Sequence, residues 1–229
     1  MDDLLILVPV LARPGNVGPL VDSYLDARPP ESNLVFIVND DDLEEIAAIE
    51  AQLDQEHVVL FTMPPQVRTW GQKVNAGSGL PADWYLFAAD DITFTPGWWE
   101  ATEQLRNDPQ VGVIGTNDSA TGQGNPRVAK GEHTCHPLVR ASYAALGTMD
   151  DPNEVVHSGY NHWCVDDELV WTAKLRNAWA FCSEAILEHR HPYWDKSIPW
   201  DDTYAKGEAN NAADMELWQY RARHVLGLK

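Results

Sequence analysis

Cysteine is scarce in this chain. Cys135, Cys164 and Cys182 are the three present. Their number is odd and no CxxC pair occurs, which argues against a disulfide framework or a zinc ribbon and for free thiols in a reducing compartment. Basic residues are scarce as well. Sixteen Lys and Arg stand against 35 Asp and Glu, a formal net charge of −19. Such a chain has no general electrostatic grip on nucleic-acid phosphates, although a bound cation would offset part of the charge. No apolar run approaches the roughly 20 residues that cross a bilayer. The N-terminal "LLILVPVL" lacks the basic flank and cleavage site of a signal peptide. A soluble, cytoplasmic protein with no membrane partner is expected.

The familiar nucleotide signatures are missing too. In the turn and helix that directly follow the first apolar run the only glycines are Gly15 and Gly18, so GxGxxG fails, and no GxxxxGK[ST] occurs. This excludes a dinucleotide-binding Rossmann enzyme and a P-loop NTPase. No HxD or HxE occurs, which removes a 2-His-1-carboxylate iron oxygenase. "HTCH" (133–136) holds two His and a Cys but has no partner pair, and is weak as a zinc motif.

What the chain does have is rhythm. Apolar runs begin near Leu4, Asn33, His57, Trp84 and Val111, every 24 to 29 residues. Helical patterns lie between them; the clearest follows Asn16, read as its N-cap, with Val17, Leu20, Val21, Tyr24 and Leu25 at i, i+3, i+4 spacing. Continuous apolar strands alternating with helices predict an α/β fold with a mostly parallel sheet. Ligands of such sheets sit beyond the carboxyl ends of the strands. Those ends carry "LARPGN", "NDDD" (39–42), Asp90–Asp91 and "TNDS" (116–119), all expected on one edge. Asp90 and Asp91 are the most informative, because apolar residues flank them on both sides and solvent exposure alone explains them poorly. Paired carboxylates suit a hard ion such as Mn²⁺ or Mg²⁺.

The second half loses the rhythm. Residues 116–132 are rich in Gly, Asn and Pro and read as a long loop. Residues 207–228 look helical. Many of the ten Trp lie in this half, where they pack a core or line a cleft for a ring-shaped ligand. One domain, 1–229, is expected.

Four segments together carry a resemblance. "ILVPVLARPGNVGPLVDSYL" is similar to the opening strand, turn and helix of GT-A glycosyltransferases of the family 2 type, close to the small bacteriophage and bacterial enzymes. "TWGQKVNAGSGLPADWYLFAADDI" resembles their Lys/Asn helix and DxD strand. "HPLVRASYAALG" followed by "NHWCVDDELVWTAK" resembles their acceptor-side segment, and "EHRHP" the late metal-binding His. "AADD" departs from a strict DxD, since Ala89 holds the first position.

The resemblance implies a nucleotide-sugar-binding half, 1–118, and an acceptor-binding, metal-completing half, 119–229. Asn39 or Asp40 would hold the uracil or ribose of a UDP-sugar, with Pro9, Leu11 and Arg13 lining the same pocket. Lys73 and Asn75 would sit near the diphosphate or uridine. Asp90 would face ribose or sugar, Asp91 would ligate the metal, and His189 or His191 would complete it. Asp166 or Asp167 would be the general base of an inverting transfer to a hydroxyl. Without the resemblance, Asp166 and Asp167 are helix-capping acids, His189 and His191 strand-edge histidines and Lys73 a solvated residue. The acceptors in view are a modified pyrimidine in phage DNA, in the host cytoplasm, and a virion protein. The total charge disfavours DNA, while Arg127, Lys130 and Arg140 form a local basic cluster. The alternatives are a nucleotide-sugar-binding protein without turnover and a sugar-phosphate nucleotidyltransferase, whose Gly-rich signature is absent.

Overall fold

The computed structural model describes residues 3–118 and 124–228. Ser119 and the middle of the loop expected over 116–132 lie outside the described residues.

The first half follows the predicted alternation. Strands β1 (Leu4–Pro9), β2 (Ser32–Asn39), β3 (Val58–Met63) and β4 (Trp84–Phe87) alternate with helices α1 (Pro14–Asp26), α2 (Leu43–Glu50) and α3 (Trp70–Gly77). β5 (Ile92–Phe94) and a short α4 (Glu103–Arg106) lead to β6 (Val113–Asn117). The second half adds α5 (Pro126–Ala129), β7 (Pro137–Arg140), α6 (Ala141–Ala144), α7 (Val165–Leu175), β8 (Trp179–His189) and α8 (Asp202–His224). The eight strands form one sheet in the order β3-β2-β1-β4-β7-β6-β8-β5.

The β3, β2, β1 and β4 neighbours pair in parallel. β7 then inserts antiparallel to both β4 and β6, so β6 runs the same way as β1 to β4. The ends of β1, β2, β4 and β6 therefore do share one edge. β8 pairs parallel with β6 and antiparallel with β5.

Both sheet faces are covered, which is why the middle of β2 (Leu34–Val38) and the whole of β4 are apolar. One apolar layer joins α1, α2 and Trp98 to the sheet; the other joins α3, α7 and residues 155–165 to its opposite face. α3 lies close to the sheet: a methyl at Gly77 would stand 2.7 Å from Ile37 Cδ1.

Two helix starts differ from expectation. α1 begins at Pro14, not after Asn16, and its N-cap Arg13 makes no side-chain cap. Proline at the first helical position is pre-set for the turn, and the Arg13 side chain is drawn elsewhere. The C-terminal helix starts at Asp202, whose preceding Asp201 accepts from the Tyr204 amide at 2.8 Å. No helix among the described residues is long and apolar enough to cross a membrane.

Candidate functional site

At the carboxyl edge of β1 the chain turns through Ala12, at φ 51°. Two acids of the neighbouring connection hold this turn. Asp42 accepts the Ala12 amide at 2.9 Å and Glu45 accepts the Arg13 amide at 2.6 Å. Burial raises the Glu45 carboxyl above its ordinary range. The clamp aims Arg13 across the sheet edge at the acids that follow β4.

Arg13 Nη1 lies 2.8 Å from Asp90 Oδ1 and 3.6 Å from Asp91 Oδ2. Its Nε donates to Asp201 at 2.9 Å, and its guanidinium covers the Tyr204 ring at 3.7 Å. The Tyr204 hydroxyl donates to Asp91 Oδ2 at 2.8 Å. From the other side His189 Nε2 stands 3.4 Å from Asp91 Oδ1, and His189 Nδ1 stands 3.4 Å from Asp118 Oδ2. The antiparallel register Ile92↔His189 creates this meeting. The His136 ring packs edge-on against His189 at 4.7 Å.

The electrostatics separate the two acids. Burial and the charge of Asp91 push the Asp90 carboxyl up to about 7 despite Arg13. Burial opposes ionisation of Asp91 too, but His189 and Arg13 outweigh it and hold the carboxyl below its usual range. Desolvation lowers His189, yet Asp91 and Asp118 raise it to about 10. Burial and the neighbouring His189 lower His136 to about 4, which keeps its imidazole neutral.

Asp91, His136 and His189 each offer one ligand atom, all within 4.8 Å of one another. Asp91 Oδ1, Asp118 Oδ1 and His136 Nδ1 are buried without a hydrogen-bond partner. One carboxylate oxygen and two imidazole nitrogens, with unsatisfied atoms beside them, fit a divalent metal ion.

A second group of acids faces the first across the same space. α7 opens at Cys164, a non-glycine residue at φ 66°, with Asp166, Asp167 and Glu168 in its first turn. The N-cap position thus belongs to Cys164, and Asp166 and Asp167 are not N-caps. Asp166 Oδ2 lies 3.1 Å from His133 Nε2, and Arg127 Nη1 lies 2.6 Å from Asp167 Oδ1. Burial raises the Asp167 carboxyl, with Asp166 adding to it. Asp166 is held low, because His133 outweighs burial. Behind them Asp214 of α8 accepts the amides of Asn161, His162 and Trp163 at 2.8 to 2.9 Å and so fixes the entry to α7.

Both groups line one cavity of about 690 Å³, together with Pro9, Leu11, Arg13, Lys73, His191 and an aromatic wall that includes Trp163, Tyr193 and Trp194. Lys73 is 2% exposed and not a solvated residue. Its ammonium donates to the Val10 carbonyl at 2.6 Å, and burial lowers it to about 8.

Three of the expected residues do not line this cavity. Asn39 spends its amide on the carbonyls of Pro64 and Val67 at 3.0 and 2.8 Å. Asn75 bonds both the amide and the carbonyl of Val156. Each is a backbone clamp. Asp40 is exposed at the end of β2. His191 lines the cavity but belongs to none of the ligand clusters among the described residues; its ring stacks on Tyr193 and its Nδ1 accepts the Tyr193 amide at 3.1 Å. The expected basic cluster disperses. Arg140 donates to the carbonyls of Val111, Arg106 and Asp108, and Arg127 pairs with Asp167.

Sequence reasoning missed Asp118, His133, Cys135, His136, Asp201 and Tyr204. "HTCH" was a visible signal for three of them. Its partners come from the β4–β5 connection, β6, α7 and β8, which no local spacing reveals.

No protein-family model and no curated sequence matches the chain. Solved structures do. S. aureus TarS 1-349 superposes with a TM-score of 0.66 at 13% identity, covering 83% of this chain and 61% of that one. The mannosyltransferase PcManGT from Pyrobaculum calidifontis, in complex with GDP-Man and Mn²⁺, superposes at 0.65 with 11% identity, over 90% of this chain and 59% of that one. Glucosyl-3-phosphoglycerate synthase from Mycobacterium tuberculosis, in complex with Mn²⁺, UDP and phosphoglyceric acid, superposes at 0.58 with 13% identity, over 100% of this chain and 80% of that one. The chain spans about three fifths of the first two. At such identities the likeness establishes the fold alone: a mostly parallel, eight-stranded sheet flanked by helices that matches GT-A glycosyltransferase folds.

Proposed function

We propose that this protein is a metal-dependent glycosyltransferase that moves a sugar from a nucleoside diphosphate sugar, UDP-sugar favoured, to a hydroxyl acceptor with inversion. One observation carries the reading. The Asp91–His136–His189 ligand set and the Asp166–Asp167 pair line the same cavity, at the strand ends where open α/β sheets bind ligands.

Asp91, His136 and His189 would hold a divalent ion, Mn²⁺ or Mg²⁺, which when bound would supply Lewis-acid stabilisation of charge on the departing diphosphate. Arg13 adds fixed positive charge beside it. Pro9 and Leu11 provide the apolar floor at the end of β1 where a nucleoside base packs. Lys73, tied to the Val10 carbonyl, holds that floor in place. One carboxylate of the Asp166–Asp167 pair accepts the acceptor proton as the hydroxyl attacks. No enzyme nucleophile is needed, so a single displacement inverts the anomeric carbon. The total charge of −19 and the dispersed basic cluster favour an acceptor other than DNA.

The test is a thermal-shift titration with UDP, GDP, CDP, ADP and dTDP, each with and without Mn²⁺, followed by UDP-release assays. One nucleotide is expected to stabilise the protein in a Mn²⁺-dependent way, by about 2.7 kcal/mol at a concentration a hundred times its Kd. Asp91→Asn is expected to remove the effect. Stabilisation with no release of nucleotide from any sugar donor would favour a binding protein without turnover. No stabilisation by any nucleotide would leave the fold likeness without its function.

A further inference from the structure

The sequence stretch "HTCH" is only half used by the site above. His136 belongs to the Asp91–His189 cluster; His133 and Cys135 do not. We propose that His133, Cys135 and Asp166 form a second cation site, which takes a thiophilic ion of the zinc type.

The geometry carries it. A His133 nitrogen, the Cys135 sulfur and an Asp166 oxygen lie within 4.8 Å of one another. One thiol, one imidazole and one carboxylate are the donor types zinc accepts, whereas Mn²⁺ and Mg²⁺ prefer oxygen. The surroundings suit ligation. Asp166 Oδ1 accepts the Asp167 amide at 2.9 Å, and Oδ2 is the atom turned to His133. His133 is 2% exposed, and its Nδ1 is buried with no hydrogen-bond partner. That nitrogen stands 3.8 Å from Asp167 Oδ1.

Cys135 also lies within reach of Asp118 and His189. The first cluster is complete without it, because Asp91, His136 and His189 already supply three donors. The thiol, which also contacts Asp118 and Asn125, is therefore not needed by the first and can serve the second. All three residues of the second site line the cavity, so a fourth coordination position opens to it. One consequence rests on the transfer reading: with Asp166 committed to the ion, Asp167 is the carboxylate left to take the acceptor proton.

The experiment is a Co²⁺ titration of the full chain after chelator treatment, read by absorption. The expected result is a saturable near-ultraviolet thiolate-to-cobalt charge-transfer band that is bleached by Zn²⁺. Cys135→Ser should abolish it, His133→Ala should weaken binding by about tenfold or more, and Cys182→Ser should keep it. A wild-type protein without the band overturns the site, and that result needs no variant to fold. A band that survives in Cys135→Ser, with an unchanged far-ultraviolet circular dichroism spectrum, overturns it equally. The UDP and Mn²⁺ thermal shift reports separately on the nucleotide reading. A normal shift without the cobalt band refutes the second site alone; the band without the shift refutes the nucleotide reading alone.

Discussion

Arg13 answers why two adjacent carboxylates are tolerated in an apolar setting. Asp90 and Asp91 are 7% and 8% exposed, and a buried charge without a partner is costly. Arg13 supplies the positive charge on one side and His189 on the other. Removing one partner of such a buried set leaves the other uncompensated. Arg13→Met is expected to cost about 3–5 kcal/mol in urea unfolding at pH 7, and Mn²⁺ should recover part of the loss by replacing the missing charge. A variant as stable as wild type would show that the pairing contributes nothing. Lys73 gives a pH signature. Its folded value is about 8, against 10.5 for a free lysine. Between those values the unfolded chain holds more protons, so this residue makes stability rise with pH across the window. Lys73→Met deletes that contribution. The stability difference, wild type minus variant, should therefore grow by about 2–3 kcal/mol from pH 8 to pH 10.5. A difference that stays flat would mean that the ammonium is not desolvated.

Helix α8 is the element that fixes the entry to α7, although it touches little of the sheet. Its surface is largely polar, and Gly207, Asp214 and Arg221 are its buried residues. Each works through polar contacts. Gly207 offers its carbonyl to the Trp163 indole at 3.0 Å. Arg221 pairs with Glu168 of α7 at 2.7 Å. Asp214 receives the three amides that lead into α7, and it is 1% exposed. Asp214→Asn would turn one acceptor oxygen into a donor facing backbone N–H groups. The expected cost is about 2–4 kcal/mol in urea unfolding. The same change should lower kcat/KM for sugar transfer by about tenfold or more, because the first turn of α7 carries Asp166 and Asp167. Destabilisation with kcat/KM unchanged would confine Asp214 to a structural role. A helix held by buried polar groups leaves a weak apolar period, which is why the sequence places its start five residues late.

The whole molecule concentrates its charge unevenly. Acids gather at the carboxyl edge of the sheet, while the bases are individually engaged: Arg13, Arg127, Arg140 and Arg221 each bind carboxylates or carbonyls. Two of the three bases of the predicted cluster, Arg127 and Arg140, are thus occupied by Asp167 and by backbone carbonyls. Duplex DNA in 150 mM salt is expected to bind more weakly than about 100 µM, measured by fluorescence anisotropy. Micromolar affinity that falls steeply with salt would return DNA to the list of acceptors. At this scale the cavity joins residues from both halves of the chain.

The layer order was legible in the sequence because it rests on local periodicity. Apolar runs long enough for strands, spaced by amphipathic helices, have few ways to bury both sheet faces. The same pattern placed Asp90, Asp91 and residues 116–118 on one edge, since parallel strands end together. Side-chain partnerships were not legible. Asn39 and Asn75 look like ligand-binding amides in sequence, yet backbone carbonyls and amides lacking a ladder partner claim them. His189 reaches Asp91 because β5 and β8 pair antiparallel at Ile92↔His189, whereas His191, two residues on, turns to Tyr193. "HTCH" becomes a ligand source only when β6, α7 and β8 surround it. Periodicity by itself determined which face of each element is buried and which sheet edge is polar, because burial acts on every residue of an element alike. Only the tertiary structure decided which carboxylate meets which imidazole, because those pairs join residues far apart in the chain through the register of non-adjacent strands.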